Sequence, residues 1–576
     1  MTYIERYKKW IDSDKVDAKT KEELLSIKDN HEEIKERFIK DLEFGTAGLR
    51  GIIGAGDNRM NIYTVRKATQ GLSEDIKSQG EEAMKKGVVI AYDSRHKSDE
   101  FALETALVLA ANGIKVYLFD ELRPVPELSF AVRYLKCTRG VVITASHNPK
   151  EYNGYKAYGP DGGQIPPETS DYIIDIISKL DIFEDIKRIS KEEAFEKGLL
   201  EMIGEEIDRE YLKNVKEQSV NEQAIADLGD DFKVVYTPFH GTGNKPVRRI
   251  LDMIGVKNVH IVKEQEMPDP DFSTVKSPNP EDNEGFYLAI ELAKKVNADV
   301  IFATDPDSDR VGVTIKTSSG EYITLTGNQV GVLLTEFILR NKQEKGILPK
   351  NGAVIKTIVT TAMLYPICEA YGIKVFDVLT GFKFIGEKMT EFASTKEYEY
   401  LFGFEESYGY LAGNYARDKD AVVASMLIAQ MAADYKQKGM TLYEGLENLY
   451  KKYGNHLENL YTVTLKGLDG AEKIKKIMAD IRKNPPKEVG GVKVKKMQDI
   501  SIGKEFDIEN GTEKDIDLPS SNVLKFFLED NSYFAARPSG TEPKIKFYFG
   551  VCEETMEKSK SKMEQFKKDV IALVEG

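Results

Sequence analysis

Three aspartates alternate in Thr304-Asp305-Pro306-Asp307-Ser308-Asp309-Arg310. Carboxylates crowded into one tight turn repel each other unless a cation lies among them. Oxygen ligands at that spacing suit a hard divalent ion, and magnesium is the natural choice where phosphoryl groups move. An EF-hand is excluded, because it would need glycine at Arg310 and glutamate at Lys316. A second loop, Thr144-Ala145-Ser146-His147-Asn148-Pro149, displays a serine hydroxyl just after the apolar run Gly140–Thr144, where open α/β sheets place ligands. It lacks the GxSxG elbow of acyl-transfer hydrolases, and Pro149 keeps the chain from entering a helix directly. Lys156, in the glycine-rich turn expected beyond it, can pair with a phosphate or, with a lowered pKa, take a proton.

Two further loops carry polar groups between glycines or prolines. Gly403-Phe404-Glu405-Glu406-Ser407-Tyr408-Gly409 offers acceptors suited to sugar hydroxyls. Arg537-Pro538-Ser539-Gly540-Thr541-Glu542-Pro543-Lys544 collects a guanidinium, two hydroxyls, backbone amides and a lysine that match a phosphate dianion. Taken singly, each reads equally well as a solvated turn. Phe44–Gly51 is another glycine-rich loop with one arginine, Arg50, and is neither GxGxxG nor a Walker loop. His31, His96, His240, His260 and His456 show no metal spacing and read as structural or surface groups, with His240, after a strand end, the possible exception. Cys137, Cys368 and Cys552 form no CxxC pair and read as idle thiols.

The elements that must position these loops are short β-branched runs alternating with longer helical patterns, the mark of an α/β fold. Expected strands are Val88–Tyr92, Lys115–Phe119, Gly140–Thr144, Lys233–Thr237, Asn258–Val262, Asp299–Ala303, Ala353–Ile358 and Ile373–Val378. Helical patterns cover Glu100–Asn112, Asn283–Val296, Asn328–Leu339 and Ala421–Lys436. A lysine-rich stretch, Lys473–Lys496, then precedes the runs Asn522–Phe527, Tyr533–Ala536 and Lys544–Val551 and a last helix, Glu554–Val574, which predicts an α+β domain. The 576 residues are enough for about four domains. A net charge of −14 argues against nucleic-acid binding. The charged N-terminus lacks a signal-peptide core, and no apolar run is long enough to span a bilayer, so the expected address is the cytoplasm, with no membrane partner.

Taken in this order, FGTAGLRG, TASHNPKEYNGYK, DPDSDR, GFEES and RPSGTEPK resemble the α-D-phosphohexomutase family, in its phosphoglucomutase/phosphomannomutase type, from about Phe44 to the end of the chain. The resemblance implies three related α/β domains with mixed sheets and a C-terminal α+β domain of the TATA-binding-protein-like kind, set around a central cleft. The domains are expected at 1–205 (phosphoserine loop), 206–325 (metal loop), 326–454 (sugar loop) and 455–576 (phosphate loop). It implies that Ser146 bears the phosphoryl group and that Mg2+ is held by Asp305, Asp307, Asp309 and an oxygen of that phosphoserine. Arg50, His147, Lys156 and Arg310 would surround the reacting phosphoryl, with Lys156 or His147 as proton carrier. Glu405 and Ser407 would hold sugar hydroxyls, Lys383 would contact substrate, and Arg537, Ser539, Gly540 and Thr541 would grip the non-reacting phosphate. The implied enzyme interconverts glucose 1-phosphate and glucose 6-phosphate through glucose 1,6-bisphosphate, which also serves as activator, and acts as a monomer or homodimer on small sugar phosphates. The sugar loop reads GFEESYGY where many members have GExSGH, so mannose and pentose phosphates stay open as substrates. A metal-dependent sugar-phosphate phosphatase is the rival from another class.

Overall fold

The fully apolar run Val88–Tyr92 belongs to a seven-stranded sheet, as expected of a strand buried on both faces. Its strand order is Phe44–Gly45, Gly48–Ile52, Tyr152–Tyr158, Arg139–Ile143, Val88–Tyr92, Val116–Phe119, Leu200–Ile203. The last four are parallel, and the first three join antiparallel, giving a mixed sheet. Helices Ile62–Ser78 and Ser98–Ala111 bury Val65, Leu72, Phe101 and Leu109 in one core with Val88, Ile90, Val141 and Ile143. Ahead of this sheet, three short helices enclose Trp10, which meets Phe38, Tyr63 and Phe183 edge-on and donates its indole N–H to Asp57 at 2.9 Å. The computed structural model describes residues 1–45, 48–465, 468–539 and 544–575.

A second mixed sheet runs Tyr322–Leu325, Val311–Lys316, Val300–Thr304, Lys233–Thr237, Asn258–Ile261. Thr304 faces Val311 across an antiparallel pair, so the alternating aspartates form the loop of a β-hairpin. This sheet, the first one and residues 386–396 and 408–439 make one compact unit, which comprises 1–325 and those two segments.

The other unit comprises 326–385, 397–407 and 440–576. In it, strand Gly352–Thr357 pairs in parallel with both Lys374–Val378 and Glu399–Phe404. An antiparallel sheet follows, in the order Asn455–Thr464, Lys544–Glu553, Tyr533–Pro538, Leu524–Leu528, Val492–Asp499, Lys504–Asp507, Thr512–Asp515. Helices Leu468–Lys483 and Met556–Glu575 lie with it, and Met478, Phe526, Phe534, Phe547 and Phe566 form its core. The fold is therefore three α/β portions with mixed sheets and a C-terminal antiparallel sheet with helices. The lysine-rich stretch divides at Pro485-Pro486 into a helix and a strand, because proline supplies no N–H for either ladder. No helix among the described residues is long and apolar enough to cross a membrane.

Lys156 departs from the sequence expectation. It stands in the middle of strand Tyr152–Tyr158, not in a glycine-rich turn, paired with Val142 on one side and Gly48 on the other. Gly154 is in this strand because of a close backbone approach: a Cβ there would lie 2.4 Å from the Thr144 carbonyl oxygen and 2.8 Å from that of Leu49.

Candidate active site

Strand Arg139–Ile143 leads straight into Thr144, Ala145 and Ser146. Ser146 is buried and adopts φ 52°, a left-handed conformation that costs a non-glycine residue about 1 kcal/mol or more unless its surroundings impose it. Arg95 imposes it. Its fully buried guanidinium donates to the carbonyls of Ser146 and Asn148, and to those of Pro149 at 2.9 Å and Tyr152 at 3.0 Å. Asp93 lies 3.2 Å from the Arg95 Nε and accepts the hydroxyls of Ser98 (2.7 Å) and Thr144 (2.6 Å). Thr144 Oγ1 in turn accepts the Ser146 N–H at 2.8 Å. The serine loop is thus fastened from below by a buried ion pair.

The Ser146 hydroxyl donates to Asp305 Oδ2 at 3.0 Å and lies 3.1 Å from His147 Nδ1. Asp305, Asp307 and Asp309 are all buried, and each offers an oxygen within 4.8 Å of the others. Asp305 Oδ1 accepts the N–H groups of Asp309 (3.1 Å) and Arg310 (3.0 Å), which fixes the hairpin loop. Lys156 Nζ donates to Asp307 Oδ2 at 2.9 Å, and Lys419 Nζ stands 2.8 Å from Asp309 Oδ2. Burial, followed by the charges of Asp307 and Asp309, pushes the Asp305 pKa well above the usual carboxylate range. Burial would raise Asp307 too, but Lys156 beside it holds it low. Asp307 Oδ1 and Asp309 Oδ1 are buried acceptors with no hydrogen-bond donor. Two such orphaned oxygens among three converging carboxylates fit a hard divalent cation, whose charge would complete what the two lysines begin.

Burial, with Arg310 and Arg50 nearby, pushes the His147 pKa well down and keeps the ring neutral. Arg50, on strand Gly48–Ile52, donates to Asn148 Oδ1 at 3.1 Å, and Arg310 donates to Glu281 at 2.7 Å. The structure therefore gathers Ser146, His147, Lys156 and the three aspartates into one cluster, with Arg50 and Arg310 on its charged margin.

In the second unit, Glu405 follows strand Glu399–Phe404 and accepts the Gly381 N–H at 2.9 Å, two residues before Lys383 at the start of helix Phe382–Thr395. Glu406 accepts the hydroxyls of Thr357 (3.2 Å) and Thr360 (3.3 Å); burial pushes its pKa up while the charge of Arg537 pulls it down. Arg537 is the next-to-last residue of strand Tyr533–Pro538, and the Ser539 N–H donates to the Lys544 carbonyl at 2.8 Å. Ser407 comes next after these acids, while Gly540 and Thr541 lie outside the described residues.

Arg95, Asp93 and Lys419 escape the sequence reading. Their signals are faint: Asp93-Ser94-Arg95 follows a strand end, and Arg417-Asp418-Lys419-Asp420 is a run of four charges that turns out buried ahead of an apolar helix. His240 is structural: its Nδ1 meets the Met267 carbonyl at 3.0 Å and its Nε2 the Thr274 hydroxyl at 2.9 Å.

Family profiles described as phosphoglucomutase/phosphomannomutase α/β/α domains I, II and III match residues 41–182, 209–320 and 326–453. A phosphoglucomutase of Staphylococcus epidermidis is 39% identical over 520 residues, covering 90% of this chain and 92% of that protein. One from Staphylococcus aureus is 39% identical over 521 residues, with 90% of each covered. Among solved structures, the open form of pp63/parafusin (phosphoglucomutase) from Paramecium has a TM-score of 0.67 at 18% identity, covering 93% of this chain and 94% of that one. A phosphoglucomutase/phosphomannomutase family protein from Burkholderia thailandensis gives 0.65 at 19%, covering 92% and 97%. These two share the fold. Sequence profiles along most of the chain, and relatives this similar over nine-tenths of it, place the protein in the phosphoglucomutase/phosphomannomutase family of α-D-phosphohexomutases, as an isomerase that works by phosphoryl transfer.

Proposed function

We propose that the protein is a cytoplasmic phosphoglucomutase that interconverts glucose 1-phosphate and glucose 6-phosphate, with Ser146 as phosphoryl carrier and domains at 1–205, 206–325, 326–454 and 455–576. One observation carries this reading: the Ser146 hydroxyl, in a buried loop, lies 3.0 Å from a carboxylate of a triad that retains two orphaned oxygens. Asp305, Asp307 and Asp309, together with an oxygen of phospho-Ser146, would hold magnesium, which supplies positive charge to the phosphoryl oxygens during transfer.

The chain's own groups do the rest. Arg50 and Arg310 add charge beside the reacting phosphoryl. As the bond from phosphorus to the sugar 6-oxygen forms and the bond to Ser146 Oγ breaks, the sugar hydroxyl's proton passes to the neutral ring of His147, or to Lys156 as a free amine, and a proton returns to Oγ, so that the serine hydroxyl is ready to be re-phosphorylated. Glu405 and Ser407 accept hydroxyls of the sugar and Lys383 contacts it, while Arg537, Ser539, Gly540 and Thr541 hold the phosphate that does not react. The resulting glucose 1,6-bisphosphate turns end for end, and its other phosphoryl returns to Ser146. A dephosphorylated enzyme needs the same bisphosphate as activator.

The test is Ser146→Ala. We expect mutase turnover to fall by at least about 10³-fold with the melting temperature unchanged, and label from a hexose bisphosphate to be absent from the variant. Normal turnover would remove Ser146 from the mechanism. Faster wild-type turnover on mannose 1-phosphate or ribose 1-phosphate than on glucose 1-phosphate would move the substrate to that branch, and steady release of inorganic phosphate would make the protein a phosphatase.

A further inference from the structure

Within the second unit, a cavity of about 610 Å³ is lined by none of the residues assigned a role above. Five lysines face it, Lys356, Lys495, Lys496, Lys514 and Lys525, against two carboxylates, Glu505 and Asp530. This is a local excess of positive charge in a chain whose net charge is −14. Three of the lysines are compensated: Lys356 lies 2.7 Å from Asp377, and Lys496 and Lys514 lie 3.4 and 3.1 Å from Glu505.

Lys525 makes no direct ion pair among the described residues. It is 5% exposed, and its Nζ donates to the Ile358 carbonyl at 2.6 Å. The Phe527 and Tyr533 rings stand 4.8 and 4.7 Å away, and no carboxylate oxygen lies within 4.0 Å among the described residues. An ammonium carries three donors, so two are left against aromatic faces. A buried charge without a directly paired counter-ion is costly, and burial, reinforced by the charge of Lys356 and only partly opposed by that of Asp377, pushes the Lys525 pKa down to about 7. An anion entering the cavity would remove that cost. Tyr365, Pro366, Phe527, Leu528 and Tyr533 give part of the wall an apolar surface that suits an organic body rather than a bare ion, while Thr360, His456 and Asn531 add polar groups.

We propose that this cavity is a second anion site, which binds a small organic phosphate monoester with its dianion at Lys525 and its apolar body against Tyr365 and Phe527. Lys514, exposed at the rim, adds attraction at longer range. Arg537 is not among the residues that line the cavity.

Calorimetric titration of the full-length protein with phenyl phosphate tests this. We expect wild type to bind it, Lys525→Met to weaken that binding by about tenfold or more, and Lys514→Glu to weaken it by about threefold, as loss of a charge-assisted contact and of a rim charge predict. Arg537→Ala should keep the binding that Lys525→Met loses. Absence of binding in wild type up to about 10 mM, an affinity too weak for a built site, would overturn the proposal. So would loss of the same binding in Arg537→Ala, which would put the probe at the phosphate loop. Equal affinity for inorganic phosphate would overturn the assignment to an ester. Lys514→Glu, a surface change, keeps the test decisive if Lys525→Met fails to fold.

Discussion

At the scale of single residues, the left-handed Ser146 is held by one guanidinium reaching four carbonyls, a geometry that a lysine ammonium cannot reproduce. Arg95→Lys keeps the charge beside Asp93 but releases part of the loop, so the serine hydroxyl loses its fixed distance to Asp305. We expect kcat to fall by about 10²-fold, the cost of a misplacement near 1 Å, with KM for glucose 1-phosphate changed little. A fall in KM affinity with kcat preserved would show that Arg95 acts elsewhere. The Ser146 and Asp305–Asp309 loops are legible in sequence because each gathers its reactive groups within a few adjacent residues, although the two loops meet only in the folded chain. Arg95 is not legible, since it lies 51 residues from the serine it positions and carries no motif. Lys419 is hidden in the same way: only the folded chain brings it to Asp309.

Elements impose their own constraints. Strand Tyr152–Tyr158 runs between two antiparallel neighbours, and it sets Lys156 opposite Val142, two residues before the Thr144 that supports the serine. Its alternation is obscured in sequence by Asn153 and Gly154, which explains why a turn is expected there. Gly154→Ala would force a methyl group against backbone atoms of both neighbours. We expect a loss of about 2 kcal/mol or more, within the overpacking range, read as a lower melting temperature together with reduced turnover; a neutral variant would mean that the strands part easily at this point. Strand Asn455–Thr464 gives a pH signature. Burial pushes the His456 pKa down to about 4 from an unfolded value near 6.5. Its neutral form therefore adds stability that is whole above pH 6.5 and lost as pH falls toward 4. Glu458, raised by burial to about 7, acts oppositely: stability is lost as pH rises from its unfolded value toward 7. Thermal melts of His456→Gln should gain on wild type as pH drops from 7 to 4.5, by about 2 to 3 kcal/mol. A gap independent of pH would show that folding leaves the His456 pKa unchanged.

Across the whole molecule, the compact units do not follow the sequence blocks. Residues 408–439 group with 1–325 because helix Ala421–Gln437 is tied there: Asp420, which caps it, accepts the Tyr211 hydroxyl at 2.8 Å, and Gln430 accepts the N–H groups of Val220 (3.0 Å) and Asn221 (3.1 Å). These ties join residues about two hundred positions apart, beyond what periodicity reveals. Ser146 and the three aspartates belong to one unit and Arg537 to the other. A bisphosphate that must release one end and present the other stays with the enzyme only while something else holds it, and the proposed function gives that hold to a charge-assisted contact of Arg537. Arg537→Ala should therefore leave phosphorylation of Ser146 by glucose 1,6-bisphosphate possible while the intermediate escapes more often. We expect the bisphosphate concentration for half-activation to rise about tenfold, the weight of one hydrogen bond to a charged group, and free glucose 1,6-bisphosphate to accumulate early in single-turnover runs. If half-activation stays unchanged while kcat collapses, Arg537 acts on the chemical step, and the non-reacting phosphate is held by other groups.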